Sequence, residues 1–239
     1  MNTNHSIPPH LSGDQATGLT PFEPIAQFEI GSMQNFIYLI LDWSTKKAAM
    51  VDPQKDLEKP LGALKAHGFE LESILLTHTH FDHTAGVRPL LELYPNLVTR
   101  VGQKDLHRLS KSILDSPGLK ILEDGEEFSI GSFLIRAINT PGHSAGALSF
   151  YLETTREPKM PYLFTGDTIF IRDCGRTDLE TGSNEELFFS IQKVKRLKPE
   201  TVLLVGHHYA KSCATTLQLE KEFSPPFLCK TIEELANLP

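Results

Sequence analysis

Cysteine is scarce: Cys174, Cys213 and Cys229 are the only three in 239 residues. An odd, widely spaced set provides neither a disulfide framework nor the CxxC pairs of a zinc knuckle, and it suits a reducing cytoplasm. Long apolar runs are lacking too. Stretches such as Phe36 to Leu41 are strand-sized and far short of a bilayer span. Positive charge is in deficit, with a formal net charge of −7, which argues against nucleic acid as the main partner. There is no internal repeat and no low-complexity tract. Residues 1–22 lack an apolar stretch behind a positive start, so a signal peptide is not expected.

What is present suits one sizeable domain. A hydrophobic fraction of 40% can furnish a core at this length. Residues 1–23, polar and marked by Pro8, Pro9, Gly13, Gly18 and Pro21, read as an extended arm. Packing of that arm on a second copy of the chain, as in a homodimer, is the alternative. His5 and His10 within it are expected to be incidental. The domain proper is expected over residues 24–239.

Within it, Phe36–Leu41 and Ala48–Val51 read as neighbouring strands, the second ended by Asp52-Pro53. Leu57, Leu61 and Leu64 fall at helical spacing, so residues 56–66 read as a helix closed by Gly68. Ile74-Leu75-Leu76 is a strand running into Thr77-His78-Thr79-His80-Phe81-Asp82-His83. A helix around Val87, Leu90 and Leu91 and a strand over Leu97–Val101 follow. The runs either side of Gly131-Ser132 read as a hairpin, continued by strands at Ala147–Leu152 and Tyr162–Phe164. Ser183 with Glu186 forms a capping box for a helix carrying Leu187, Ile191 and Val194. Thr201–Val205 is a buried strand, and Thr231 with Glu234 caps a last helix. The fold class is α/β, with sheets inside and helices outside.

Seven metal-ligand candidates sit at or just past strand ends: His78, His80, Asp82, His83, His143, Asp167 and His207. In extended backbone His78 and His80 point the same way. Asp82 and His83 follow where the chain turns into a helix. Thr140-Pro141-Gly142-His143 puts an imidazole on a tight turn. Gly166-Asp167 and Gly206-His207 each deliver a ligand from a buried strand. Imidazoles and carboxylates without a thiolate suit Zn²⁺, Fe²⁺ or Mn²⁺ in a reactive site rather than a structural knot. Asp167 is the natural bridge, since a carboxylate can span two cations.

The series T-H-T-H-F-D-H, T-P-G-H, T-G-D-T and G-H-H-Y resembles that of the metallo-β-lactamase superfamily, over roughly residues 24–225. The resemblance implies an αββα sandwich with the site at one edge between the sheets. It assigns His78, His80 and His143 to one metal, Asp82, His83 and His207 to a second, and Asp167 to both, with zinc the expected pair. Within the superfamily, Gly166-Asp167-Thr168-Ile169-Phe170 and Gly206-His207-His208-Tyr209 resemble glyoxalase II and small acyl-thioester hydrolases, some linked to polyketide synthesis. The implied reaction is cleavage of a small-molecule or carrier-bound thioester by hydroxide formed at the metals. About thirty residues follow His207, where glyoxalase II carries a helical glutathione-gripping domain, so the thiol carrier stays open.

Asp173-Cys174-Gly175-Arg176 belongs to the same hydrolase resemblance. The longer Cys174-Gly175-Arg176-Thr177-Asp178-Leu179 instead resembles the signature of persulfide dioxygenases, in which the other ligand-type residues persist too. Those hold a single iron through the equivalents of His78, His143 and Asp167 and oxidise glutathione persulfide. By resemblance, Arg176 and Tyr209 join Asp82 as catalytic or substrate-binding candidates, with Arg176 paired to Asp82 or another carboxylate or meeting an anionic substrate. His208 and Cys174 are expected to be structural.

Overall fold

The computed structural model describes residues 7–13, 15–154 and 159–238. His5 lies outside them. The chain first builds one sheet: β1 (Ile25–Ile30), β2 (Asn35–Asp42), β3 (Lys47–Val51), then α1 (Glu58–His67) and β4 (Glu70–Leu75). Gly68 ends α1 in the left-handed conformation, φ 66°, as its position after the last apolar residue predicts. Two short helices, α2 (Phe81–Thr84) and α3 (Val87–Leu93), lead to β5 (Val98–Gly102), α4 (Lys111–Leu114) and β6 (Leu119–Leu122). Spatial order follows chain order. The β1–β2–β3 meander is antiparallel, and β3 to β6 are parallel.

The second sheet is built from β7 (Glu127–Ile130), β8 (Phe133–Asn139), β9 (Leu148–Glu153) and β10 (Pro161–Gly166). After the small ribbon β11 (Ile169–Phe170) with β12 (Asp173–Cys174) comes α5 (Asn184–Val194), and then β13 (Val202–Val205) and β14 (Thr215–Thr216). The order is β14-β13-β10-β9-β8-β7, with β13 parallel to β10. Helices α6 (Leu217–Phe223), α7 (Pro225–Leu228) and α8 (Ile232–Ala236) close the chain. Ser183 and Thr231 cap α5 and α8 by accepting from the amides of Glu186 and Glu234.

Alternation along the strands sorts the core into three layers. From β2, Phe36, Tyr38 and Ile40 point between the sheets, meeting Ile135, Phe150, Phe164 and Leu204. Ile37, Leu39 and Leu41 point the other way, beneath Leu64, Val87 and Leu90. On the far side, Leu163 and Leu203 are covered by Leu187, Ile191, Val194 and Leu217. This is the αββα sandwich. Leu11, in a 3-10 turn at Pro9–Leu11, is buried in the central layer, and Gly18 bridges to Gln27 of β1. Among the described residues no helix is long and apolar enough to cross a membrane.

Three features differ from the sequence pattern. β1 and β6 carry no clear period-two signal. β1 is buried on both faces except at Glu29, and β6 is a four-residue edge strand. The segment after His207 also folds into α6 and α7 against α5, where the sequence marks only the last helix.

Candidate metal centre

All seven candidate ligands converge at one edge of the sandwich, where β4, β10 and β13 end and the turn after β8 comes over them. Two groups form. The ligand atoms of His78, His80 and His143 lie within 4.8 Å of one another, and those of Asp82, His83 and His207 do the same. Asp167 faces both. Its Oδ2 is 4.0 Å from His78 Nε2, 3.7 Å from His143 Nε2 and 3.3 Å from His207 Nε2, and its Oδ1 is 3.4 Å from His83 Nε2. Only the imidazole of His80 is partly exposed; the other six side chains are buried.

The outward ring nitrogens say which atoms are left for a metal. His143 Nδ1–H donates to the Arg176 carbonyl at 2.8 Å, and His207 Nδ1–H to the Met33 carbonyl at 2.8 Å. A carbonyl only accepts, so each ring carries its proton on Nδ1 and turns the Nε2 lone pair inward. His83 Nδ1 is 3.1 Å from Asp52 Oδ2, and His78 Nδ1 is 3.1 Å from Thr77 Oγ1, with the same consequence. The inward nitrogens then crowd together. His143 Nε2 is 3.0 Å from His80 Nδ1, and His83 Nε2 is 3.1 Å from His207 Nε2. His78 Nε2 and Asp167 Oδ1 are buried without a hydrogen-bond partner. His80 has no outward partner to fix its tautomer, so its Nδ1–H can donate to His143 Nε2. The Nε2 lone pairs of neutral His83 and His207 repel at 3.1 Å unless a cation sits between them, and with the unpartnered His78 Nε2 this donor set fits bound metal.

The electrostatics agree. Burial, reinforced by neighbouring imidazoles, lowers the pKa of His78 and His80 and keeps them in the neutral form that ligates. Burial alone would also lower His207, but the carboxylates of Asp167 and Asp82 outweigh it and lift its pKa to about 9. Burial opposes ionisation of Asp167 and Asp82 as well. The imidazoles of His83 and His207 overrule it and hold both carboxyls well below the usual range. Two buried carboxylates thus draw positive charge to the same spot.

Three supporting residues carry no spacing signal. Asp52, in the left-handed region at φ 49°, accepts from the Thr77 amide at 2.7 Å and from its hydroxyl at 2.5 Å besides His83. Asn35 Nδ2 donates to Asp82 Oδ2 at 2.9 Å. Asp105, fully buried, binds the turn that carries His143. Asp52 stands out in sequence only as a carboxylate ending the strand beside the one that delivers His78.

Arg176 pairs with neither Asp82 nor another carboxylate of the centre, two of the expected roles. Its guanidinium binds Asp178 through two bonds, at 2.6 and 2.7 Å, and is exposed, while its carbonyl orients His143. Tyr209 stacks on His207, with ring centroids 4.8 Å apart and planes 14° from parallel, and is 61% exposed. His208 turns away from the centre to Glu29, at 2.7 Å, and Cys213. Cys174 is largely buried, which pushes its thiol up to about 12.

The family model described as "Metallo-beta-lactamase superfamily" matches residues 30–207. The chain belongs to the metallo-beta-lactamase superfamily. Within this superfamily it is 35% identical over 182 residues to the probable polyketide biosynthesis zinc-dependent hydrolase BaeB of Bacillus velezensis, covering 74% of each chain. It is also 35% identical over 191 residues to a hydroxyacylglutathione hydrolase of Brucella ovis, covering 80% of this chain and 68% of that one. Among solved structures, ETHE1 from Myxococcus xanthus superposes with a TM-score of 0.75 at 26% identity, covering 90% of this chain and 92% of that one.

Proposed function

We propose that this protein is a binuclear, zinc-dependent hydrolase of thioesters, acting on a small-molecule or carrier-bound substrate. The observation that carries the reading is Asp167 facing two three-residue ligand groups at once. His78, His80 and His143 would hold one metal, Asp82, His83 and His207 the other, with Asp167 shared. The relatives named as a zinc-dependent hydrolase and a hydroxyacylglutathione hydrolase support it.

Bound metal supplies Lewis acidity and brings the pKa of water near 7, so a nucleophile is available at neutral pH. The chain does the rest. Carbonyls of Met33 and Arg176 and the carboxylate of Asp52 fix the ring tautomers, so the lone pairs are aimed before substrate arrives. Asp82 and Asp167 would offset part of the charge of two dications held in this buried site. Net reaction adds water across the acyl C–S bond, giving carboxylate and thiol. The thiol released has a pKa of about 8.5, so departure needs no strong general acid. That agrees with Arg176 being engaged by Asp178 instead of pointing inward. Tyr209, exposed over His207, is placed to hydrogen-bond the substrate.

The rival persulfide dioxygenase chemistry asks for one iron on His78, His143 and Asp167 and gives no ligand role to His80, Asp82, His83 and His207. Such residues persist in dioxygenases as well, so the hydrolase is favoured by the relatives named as hydrolases. Metal analysis of the purified protein, with assays on acyl-thioesters and on glutathione persulfide, tests the choice. Two metal equivalents with thioester cleavage and no oxygen uptake are expected. One iron with oxygen consumption would overturn the proposal.

A further inference from the structure

One residue outside the ligand set ties together the separate loops of the first ligand group. It is Asp105, in the 3-10 segment Gln103–Arg108 that follows β5. Its main-chain carbonyl accepts from Thr79 Oγ1 at 2.8 Å, and Thr79 is the residue between His78 and His80. Its carboxylate accepts from Ser144 Oγ at 2.7 Å and from the Gly146 amide at 2.8 Å, one and three residues after His143. The carboxylate is fully buried, and its positive neighbour is Arg108, at 3.4 Å. Arg108 in turn donates to the carbonyl of Glu180 at 2.8 Å and to Thr181 Oγ1 at 3.2 Å, reaching the loop whose Arg176 carbonyl orients His143.

The fit is close as well as polar. A Cβ on Gly146 would run into the amide and side chain of Asp105, and one on Gly102 into the Gly146 carbonyl. The turn after His143 is therefore pressed against this segment over two glycine positions. The second ligand group makes its hydrogen bonds elsewhere: His83 donates to Asp52, Asp82 accepts from Asn35 and His207 donates to the Met33 carbonyl.

We propose that Asp105 is a positioning residue for the first metal. It sets the approach of the His143 ring to His78 and His80 while leaving the second metal's ligands untouched. A burial that excludes water makes each of its bonds costly to lose, because the partner donor is left unpaired. The inference rests on the metal reading above.

The test compares wild type with Asp105→Asn, Asp105→Ala and Ser144→Ala, each reconstituted with Zn²⁺ and then with Co²⁺ as a spectroscopic probe. The readouts are the two stepwise metal affinities and the cobalt absorption. For Asp105→Ala the affinity of one equivalent should fall ~10–100-fold, the range seen when an outer-shell partner of a ligand is removed. The other equivalent should stay within about threefold of wild type. Ser144→Ala, which removes a single bond and folds around a slightly smaller side chain, should shift the same equivalent in the same direction by less. Equal loss at both equivalents in Ser144→Ala, or unchanged affinities in all three variants, would overturn the proposal. A wild type that binds no metal would instead remove the reading on which it rests.

Discussion

Asp52 joins His83 at 3.1 Å while taking both the amide and the hydroxyl proton of Thr77, the residue before His78. One carboxylate at the end of β3 thus holds a ligand of each metal group in register. Its φ of 49° is a left-handed conformation that carboxylate and amide side chains tolerate better than most. Asp52→Asn keeps that conformation and one acceptor oxygen but cannot accept from His83, the Thr77 hydroxyl and the Thr77 amide together. Metal affinity should drop ~10–100-fold, with hydrolysis falling in step at limiting metal and recovering in part at excess metal. Titration of chelator-stripped protein, followed by activity and zinc content, checks it.

A second dependence runs through Gly166, which precedes Asp167 and has φ 50°, with Thr77 packed where a Cβ would be. Gly166→Ala must therefore strain the backbone and push on Thr77 at once. A cost of at least ~1–2 kcal/mol is expected from the backbone conformation alone, read as a drop of several degrees in Tm. Gly62→Ala is the control. Gly62 lies inside α1 with no atom near its missing Cβ, so alanine there should stabilise by ~0.5–1 kcal/mol.

How much of this was legible beforehand follows from the kind of signal each residue carries. The seven ligand candidates could be read because strands ending in histidine or aspartate repeat at four places. The strand and helix patterns gave the α/β layering, and only the family resemblance implied the αββα sandwich. Asp52, Asn35 and Asp105 could not, since each is one polar residue with no spacing partner and its role exists only once distant strands are adjacent. Strand β1 escaped because it is covered by residues 16–19, helices and the opposite sheet, which erases alternation. Arg176 was legible as a residue of interest but not in its direction. A partner two residues away, Asp178, competes with any carboxylate of the centre and wins on proximity.

The sandwich has a pH-sensitive seam away from the metals. Asp42, at the end of β2, accepts from the amide and hydroxyl of Ser44, from Thr45 Oγ1, and from the Ser132 amide in the opposite sheet's hairpin. Burial opposes its ionisation, but these donors hold its carboxyl well below the usual range. A depressed folded-state pKa means that the stabilisation is complete above the unfolded value of about 3.9 and fades as pH falls through the folded value. Asp42→Asn should cost ~1–2 kcal/mol at pH 7, the difference between charged and neutral acceptors. The gap from wild type should hold from pH 8 down to about 5 and narrow below about 4. Denaturant unfolding at pH 7 and pH 3 measures both ends. A gap that widens at pH 3 would contradict the assignment.

Tyr209 offers the sharpest distinction between packing and substrate contact. Its ring lies flat on His207 and edge-on to Phe170, at a centroid distance of 5.4 Å, while most of the side chain faces solvent. Tyr209→Phe keeps the stack and removes only the hydroxyl. If that hydroxyl donates to the substrate, kcat/KM should fall ~3–10-fold, as expected for one hydrogen bond of about 0.5–1.5 kcal/mol, with zinc content and Tm unchanged. Tyr209→Ala also uncovers His207, so metal affinity and Tm should drop together with activity. Equal kcat/KM in wild type and Tyr209→Phe, with loss only in the alanine variant, would assign the residue to packing on His207 alone.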